Sequence, residues 1–232
     1  MNCDSKLKPS QIILLVLFSM SINLCGRLFA VGLNLPLWLD SFGTFLTAYC
    51  LGPFCGAVVG ISGNILHGFF NPISFVYALT SVFIAIVVGI MSQRGWMETL
   101  LKTMSLSVLV TMVSVLISVV LNIVFYDGDV GNEWGNGIVE LFLSYGIPRL
   151  ICLILGQFYT DFLDKVITLV FLYAVIKIYR ILKPYFPKEI QSYVWRDSSF
   201  LLFFVLIFFM IPQKNYAQSK EYSSYAQTVY NK

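Results

Sequence analysis

Long apolar runs alternate with short polar segments along the chain. The runs cover residues 11–33, 37–70, 73–92, 100–126, 138–159, 162–179 and 199–211. A helix needs about 20 mostly apolar residues to cross the hydrocarbon core of a bilayer, and most of these runs approach or exceed that length. The pattern therefore predicts an all-α membrane protein that crosses the cell membrane several times.

The run at residues 37–70 is too long for one crossing. As a single helix it would measure about 51 Å, against a hydrocarbon core about 30 Å thick. Gly52 and Pro53 stand in its middle. Proline lacks a backbone donor and disfavours helix at the residue before it. We therefore predict two short helices joined by a Gly-Pro turn.

Basic residues test this count, because they favour the cytoplasmic side of a membrane. We interpret residues 11–33 as a retained first helix with its N-terminus in the cytoplasm. If residues 37–70 cross twice, Arg94 and Lys102 lie in the cytoplasm. One further crossing places the acidic loop at residues 127–137 outside.

The run at residues 138–159 can be counted in two ways. If it is broken or re-entrant, the run at residues 162–179 returns the chain to the cytoplasm, where the basic residues 177, 180, 183, 188 and 196 follow. If it crosses fully and residues 37–70 cross once, Arg94 and Lys102 lie outside. The first count separates the charges better, so we prefer it.

These counts predict a six-helix membrane domain at residues 1–185. A basic cytoplasmic linker follows at 186–198 and an extra transmembrane segment at 199–212, although the shortness of this segment leaves its crossing open. Residues 213–232 are polar and without apolar periodicity, which predicts an unfolded tail outside the cell.

Composition narrows the function. Of the 232 residues, 58% are apolar and 12% charged, and the mean hydropathy is +0.80. Soluble domains carry about 25% charged residues, so this chain has a surface for lipid and no room for a sizeable catalytic domain. The net charge of +3 is small and spread out, which argues against nucleic-acid binding.

The residue types also argue against an enzyme. The five cysteines form no CxxC pair, and His67 is the one histidine, so we expect no metal site, no cofactor and no catalytic residues. No GxxxxGK[ST] loop is present either. Any ATP-driven work would need another chain to bind the nucleotide.

Glycines recur every four residues at Gly52, Gly56 and Gly60. Small residues at this spacing let helices approach closely in lipid. They form either a docking face for a partner subunit or a packing face within the chain's own bundle, and the sequence leaves both open.

Polar residues near the predicted outer ends of the helices are the candidate binding site. Charged groups in membranes are costly and tend to mark functional sites. We predict an outward-facing pocket for a small molecule, with Asp161 and Lys165 paired at the start of the last core helix. Its residues are Trp38, Asp40, His67, Asn71, Tyr77, Asp161 and Lys165. Taken singly, each could also be an interfacial residue that reaches water.

Four segments resemble the substrate-binding S component of energy-coupling factor (ECF) transporters. They are LPLWLDSFGT at 35–44, LGPFCGAVVG at 51–60, GFFNP at 68–72 and DFLDKVI at 161–167. The resemblance implies a six-helix bundle that captures a vitamin or related micronutrient from outside. A transmembrane coupling subunit and two cytosolic ATPase subunits would supply the energy. By position it assigns substrate contacts to Asp40, Asn71 and Lys165.

The first helix of that family often carries an A-x-x-x-A face for the coupling subunit. This chain has Ser21 and Cys25, then Gly26 and Ala30, at that spacing, which implies an altered docking face.

Two features depart from the family pattern. The segment at 199–211 is additional, and the tail at 222–232 is similar to the lead-in of bacterial membrane sensors with an extracytoplasmic propeller. The alternative is therefore the membrane input module of a truncated or split signalling receptor. A scaffold without a ligand is a third possibility.

Overall fold

The computed structural model describes residues 9–182. Within that range it has seven α-helices, one 3₁₀ turn at Pro72–Phe75 and no strand. The helices are α1 (Pro9–Gly32), α2 (Phe42–Leu51), α3 (Pro53–Gly68), α4 (Ala78–Gln93), α5 (Leu100–Tyr126), α6 (Glu133–Ser144) and α7 (Arg149–Leu182). The all-α prediction is confirmed for this range. The predicted linker at 186–198, the segment at 199–212 and the tail at 213–232 lie outside the described residues.

Two of the helices, α1 and α5, are long and apolar enough to cross a bilayer. Large apolar side chains on both point outward: Leu17 is 55% exposed, Leu116 70% and Val124 64%. Exposure of apolar surface to water is unfavourable, and soluble monomers rarely leave large contiguous apolar patches uncovered. The two helices therefore indicate a membrane protein.

The predicted break at Gly52-Pro53 is confirmed, with α2 ending at Leu51 and α3 beginning at Pro53. Gly52 has a φ of 93°, a conformation that suits glycine. Pro53 takes the first helical position, where its missing N–H needs no partner. The turn packs tightly, because a Cβ on Gly89 of α4 would come within 2.7 Å of Pro53 Cα.

The segment at residues 33–41 is a loop that enters the bundle. The apolar run starts at residue 37, whereas α2 begins at Phe42, beside the middle of α1. There Asn23 Oδ1 accepts from the Gly43 N–H at 2.6 Å, and Thr47 Oγ1 donates to Ser19 Oγ at 2.7 Å. Leu39 within the loop has a φ of 53°, which a helix does not allow. We call residues 33–41 the inserted loop.

Gly43 permits this close approach of α1 and α2. A Cβ at this position would lie 2.0 Å from the backbone oxygen of Ser19. We expect Gly43→Ala to lower the free energy of unfolding by about 1–3 kcal/mol, since the two backbones must separate. Thermal unfolding in detergent measures the loss. Gly32→Ala is the control, because nothing lies within 4 Å of the added carbon; equal stability of the two variants would contradict the prediction.

The predicted runs at residues 138–159 and 162–179 are divided differently in the structure. We expected a boundary near residues 159–162, but α7 runs unbroken from Arg149. The break lies earlier, where Gly146 has a φ of 76° and Pro148 cannot donate to a helix. The broken form of residues 138–159 is therefore the one observed. At about 18 Å, α6 is too short to span a bilayer.

The bundle has two distinct ends. At one end α6 packs on α7, near the inserted loop and the C-terminus of α5; we call it the α6 end. The opposite end holds the Gly52 turn and residues 94–99. A buried apolar core that includes Phe45, Ile84 and Leu172 also contains Met97, from the segment between α4 and α5.

Candidate functional site

A group of polar side chains lies inside this otherwise apolar bundle, all of them buried except Asp40, which is half-buried. They come from α1, the inserted loop, α3, the 3₁₀ turn, α5 and α7. We call them the polar cluster: Arg27, Asp40, Ser41, His67, Ser74, Ser114, Asn122, Gln157, Asp161, Asp164 and Lys165. Burying charge is costly unless partners compensate for it, so each contact in the cluster matters for both stability and function.

Lys165 and Asp164 of α7 hold the inserted loop. Lys165 Nζ donates to Asp164 Oδ2 at 2.6 Å and to Ser41 Oγ at 3.0 Å. The other carboxylate oxygen of Asp164 accepts from the backbone N–H groups of Trp38, at 3.2 Å, and Leu39, at 2.7 Å. The carboxylate thus satisfies two loop amides that the irregular backbone leaves without helical partners.

Arg27 of α1 binds the same loop from the other side. Its Nη1 donates to Asp40 Oδ2 at 2.8 Å and its Nη2 to Ser74 Oγ at 3.2 Å. The guanidinium also lies over the Trp38 ring, 4.9 Å from the centroid, in a cation–π contact.

Asp40 is ionised in this setting. Burial by itself would raise its pKa, but the charges of Arg27 and Lys165 and the hydrogen bonds from Arg27 and Ser41 hold the pKa below its ordinary value. Asp40 and Arg27 therefore form an ion pair at neutral pH.

Asp161 occupies a different environment from the other carboxylates. It is 2% exposed and accepts from Ser114 Oγ of α5 at 2.6 Å. The ion pair of Lys165 is formed with Asp164, so our expectation of a direct Asp161–Lys165 pair is wrong. Position explains the difference: both residues lie in the middle of α7, about 18 Å or more from its start, where the inserted loop brings Ser41 next to Lys165.

Uncharged polar groups extend the cluster towards the α6 end. Asn122 Nδ2 donates to Gln157 Oε1 at 2.8 Å, and the Tyr77 hydroxyl donates to Asn122 Oδ1. Gly131, between α5 and α6, approaches both Trp38 and Tyr77. The cluster is thus continuous from the middle of α7 to the segment that precedes α6.

The acidic and basic residues of the cluster differ in number. Three carboxyl groups, those of Asp40, Asp161 and Asp164, stand against two cations, Arg27 and Lys165. Each cation is ion-paired, with Asp40 and Asp164 respectively. Asp161 is therefore the carboxyl group of the cluster that has no ion-pair partner within residues 9–182.

Hydrogen bonds at the surface join the start of α6 to the inserted loop. Asn34 Nδ2 donates to Glu133 Oε2 at 3.0 Å, and Trp134 Nε1 donates to the Asn34 backbone oxygen at 2.9 Å. A groove of about 450 Å³ lies beside these contacts and is also lined by Ile138 and Tyr159. These hydrogen bonds are exposed to solvent, so α6 can separate from the loop at low cost.

The predicted site residues fall into two groups. The structure brings together Trp38, Asp40, His67, Tyr77, Asp161 and Lys165. It leaves out Asn71, which is exposed and accepts from the Ile73 N–H at 3.3 Å as the cap of the 3₁₀ turn. The predicted position at the outer helix ends is also wrong for Asp161 and Lys165, because α7 starts earlier than expected.

Seven cluster members were not among the predicted site residues: Arg27, Ser41, Ser74, Ser114, Asn122, Gln157 and Asp164. Charge in an apolar run is a signal for Arg27 and Asp164. For Gln157 the signal is weaker, a four-residue spacing from Asp161 on one helix face. Ser114 and Asn122 lie in an apolar run with many similar small polar residues, so the sequence does not single them out.

Most of the predicted docking residues make contacts within the chain. A Cβ on Gly56 would lie 2.6 Å from Ala48 Cβ, and one on Gly60 2.8 Å from Ser81 Cβ. Gly26 packs against Leu39, and Ala30 is 2% exposed. These contacts favour the internal-packing alternative for Gly56 and Gly60. On the outer side of α1, Ser21 is exposed and Cys25 half-buried.

No family model, curated protein or solved structure matches the chain. Its function is therefore inferred from the polar cluster itself.

Proposed function

We propose that this protein is a membrane-embedded capture subunit of the S-component type, which binds a vitamin or related polar micronutrient from outside the cell. The observation that carries the proposal is the convergence of Arg27, Asp40, Asp161, Asp164 and Lys165 in the interior of an apolar helical bundle. Ionisable groups at such depth are expensive, and membrane proteins keep them chiefly where they handle a solute or an ion.

The distribution of charge supports an orientation. Arg94 and Lys102 lie at the opposite end of the bundle, whereas Asp127, Asp129 and Glu133 lie at the α6 end. The positive-inside rule then favours an orientation with the α6 end of the bundle on the outer side of the membrane. In this orientation the N-terminus is cytoplasmic and the bundle crosses several times.

The chemistry of the cluster supports a polar solute. Asp161 offers a carboxylate without an ion-pair partner among the described residues, and the rings of Trp38 and Tyr77 offer flat apolar surface beside it. Small-molecule sites commonly combine apolar walls with a few polar groups of this kind. For a solute to reach the cluster, the contacts of Asn34 with Glu133 and Trp134 must open.

The chain has no nucleotide-binding loop, so the energy for release must come from partners. The resemblance to S components assigns this role to a coupling subunit and two ATPase subunits. Ser21 and Cys25 are predicted docking residues of α1 that are not buried within the bundle, so they stay available for such a partner.

Native mass spectrometry of the protein, released from its own membrane in lipid nanodiscs, tests the proposal. We expect a second mass species that carries one small molecule, and the same molecule should bind to stripped protein. Coexpression with coupling and ATPase subunits should give a complex on affinity purification. Folded protein that carries nothing, binds none of a panel of vitamins and joins no coupling subunit would overturn the proposal.

A further inference from the structure

A small cavity lies between α1, α3 and the inserted loop, next to the Arg27–Asp40 ion pair. Its volume is about 10 Å³, which is about the room that one water-sized atom needs. Its lining includes Asn23, Arg27, Asp40, Gly63, Asn64 and His67. The cavity is thus polar and small enough to select a single atom.

Two of the residues that line it each carry a buried nitrogen atom without a hydrogen-bond partner among the described residues: Arg27 (Nε) and His67 (Nε2). Their side chains are well shielded, since Arg27 is 7% exposed and His67 6%. A buried polar atom without a partner is costly, and in native proteins such atoms usually meet a water or a ligand. Arg27 Nε always carries a proton, so it can only donate.

The tautomer of His67 depends on its contact with Ser74. Arg27 Nη2 donates to Ser74 Oγ, and Ser74 Oγ lies 3.4 Å from His67 Nδ1. The Ser74 hydroxyl can donate its proton to Nδ1 or accept one from it. If it donates, the proton of the neutral ring resides on Nε2, and the residues of the cavity then carry two N–H donors, Arg27 Nε–H and His67 Nε2–H.

We propose that this cavity is a binding subsite for one uncharged acceptor oxygen of the captured solute, such as an amide or ketone carbonyl oxygen. With His67 protonated on Nε2, both donors need an acceptor, and the size of the cavity admits one oxygen atom. An anionic oxygen fits less well, because the carboxylate of Asp40 lines the same cavity and already neutralises Arg27. Water fills the subsite when no solute is bound. That this oxygen belongs to a captured solute depends on the proposed function. The presence of the two donors does not depend on it.

The single histidine of the chain allows a direct test. Protein labelled with ¹⁵N-histidine and placed in nanodiscs gives NMR signals from one imidazole. We expect a neutral ring with the proton on Nε2, and a cross-peak from this proton to water. A proton on Nδ1, or an Nε2–H proton without contact to water, would overturn the donor pair.

Formamide and formate serve as probes for the acceptor. Formamide should shift the Nε2–H signal saturably and remove the water cross-peak, and formate should bind at least tenfold more weakly. A water cross-peak that survives saturating formamide would mean a structural water only and would overturn the subsite, as would tighter binding of formate.

Gly63→Ala provides a variant that should fold, because its Cβ would lie 3.8 Å from the nearest atom, Asn23 Nδ2, and would project into the cavity. We expect it to abolish both the water contact and the formamide shift. Gly32→Ala is the matched control on α1 and should preserve both. A formamide shift that persists in Gly63→Ala would place the probe elsewhere and overturn the assignment. These readouts need no vitamin, so they can fail or succeed independently of the proposed function.

Discussion

Lys165→Met should destabilise the protein by about 3–5 kcal/mol, the usual cost of removing one partner from a buried ion pair. Lys165 is 3% exposed and Asp164 0%, so water cannot replace the lost cation. Asp161 also loses its neighbouring positive charge. The inserted loop should loosen as well, because Lys165 Nζ no longer donates to Ser41 Oγ. Denaturant or thermal unfolding in nanodiscs measures the loss.

Two further variants make this prediction specific. Lys177→Met removes a cation from the same helix, but Lys177 is exposed and lies over the face of the Tyr173 ring, so stability should change little. The double variant Lys165→Met with Asp164→Asn removes both charges of the pair. It should recover most of the stability, since the side-chain oxygen of the introduced asparagine can still accept from the Trp38 and Leu39 amides. A double variant as unstable as Lys165→Met alone would show that the buried charge is not the cause.

Local chemistry explains which parts of the fold the sequence could predict. The break between α2 and α3 follows from Gly52 and Pro53, whose backbone preferences act within a few residues. The α5 helix, Leu100–Tyr126, coincides with its apolar run, because no glycine or proline interrupts that run. The entry of the inserted loop into the bundle could not be predicted in this way. It depends on Asp164, which binds loop amides 125 and 126 residues away in sequence.

The candidate site shows the same limit. Charge in an apolar run was enough to select Asp40, Asp161 and Lys165, because burying charge is costly wherever the fold places it. The pairing between them was not predictable, since two acceptors, Asp161 and Asp164, stand near Lys165 on one helix. The inserted loop selects Asp164. The place of Asn71 near a predicted outer helix end, together with its position in the resembling family, predicts a site residue, but its side chain caps a local turn.

Asp161→Asn should weaken solute binding by about tenfold to a hundredfold. A hydrogen bond to a charged group contributes about 1.5–3 kcal/mol, and each 1.4 kcal/mol corresponds to a factor of ten in affinity. Asp161 is the carboxyl group available to a solute, because Lys165 and Arg27 are already paired with other carboxylates. Asparagine keeps the size of the side chain and one acceptor oxygen for Ser114, so the variant removes chiefly the acidic function.

Stability should respond to Asp161→Asn in the opposite sense from binding. The wild-type carboxylate is buried and lacks an ion-pair partner in residues 9–182, so its neutral replacement should fold at least as stably. Titration of stripped protein with the molecule identified by mass spectrometry measures the affinity, and unfolding in the same nanodiscs measures the stability. Glu140→Gln, on the exposed side of α6, is the control and should change neither. Unchanged affinity in Asp161→Asn would remove this carboxylate from the binding site, and a parallel loss of stability would assign it a structural role instead.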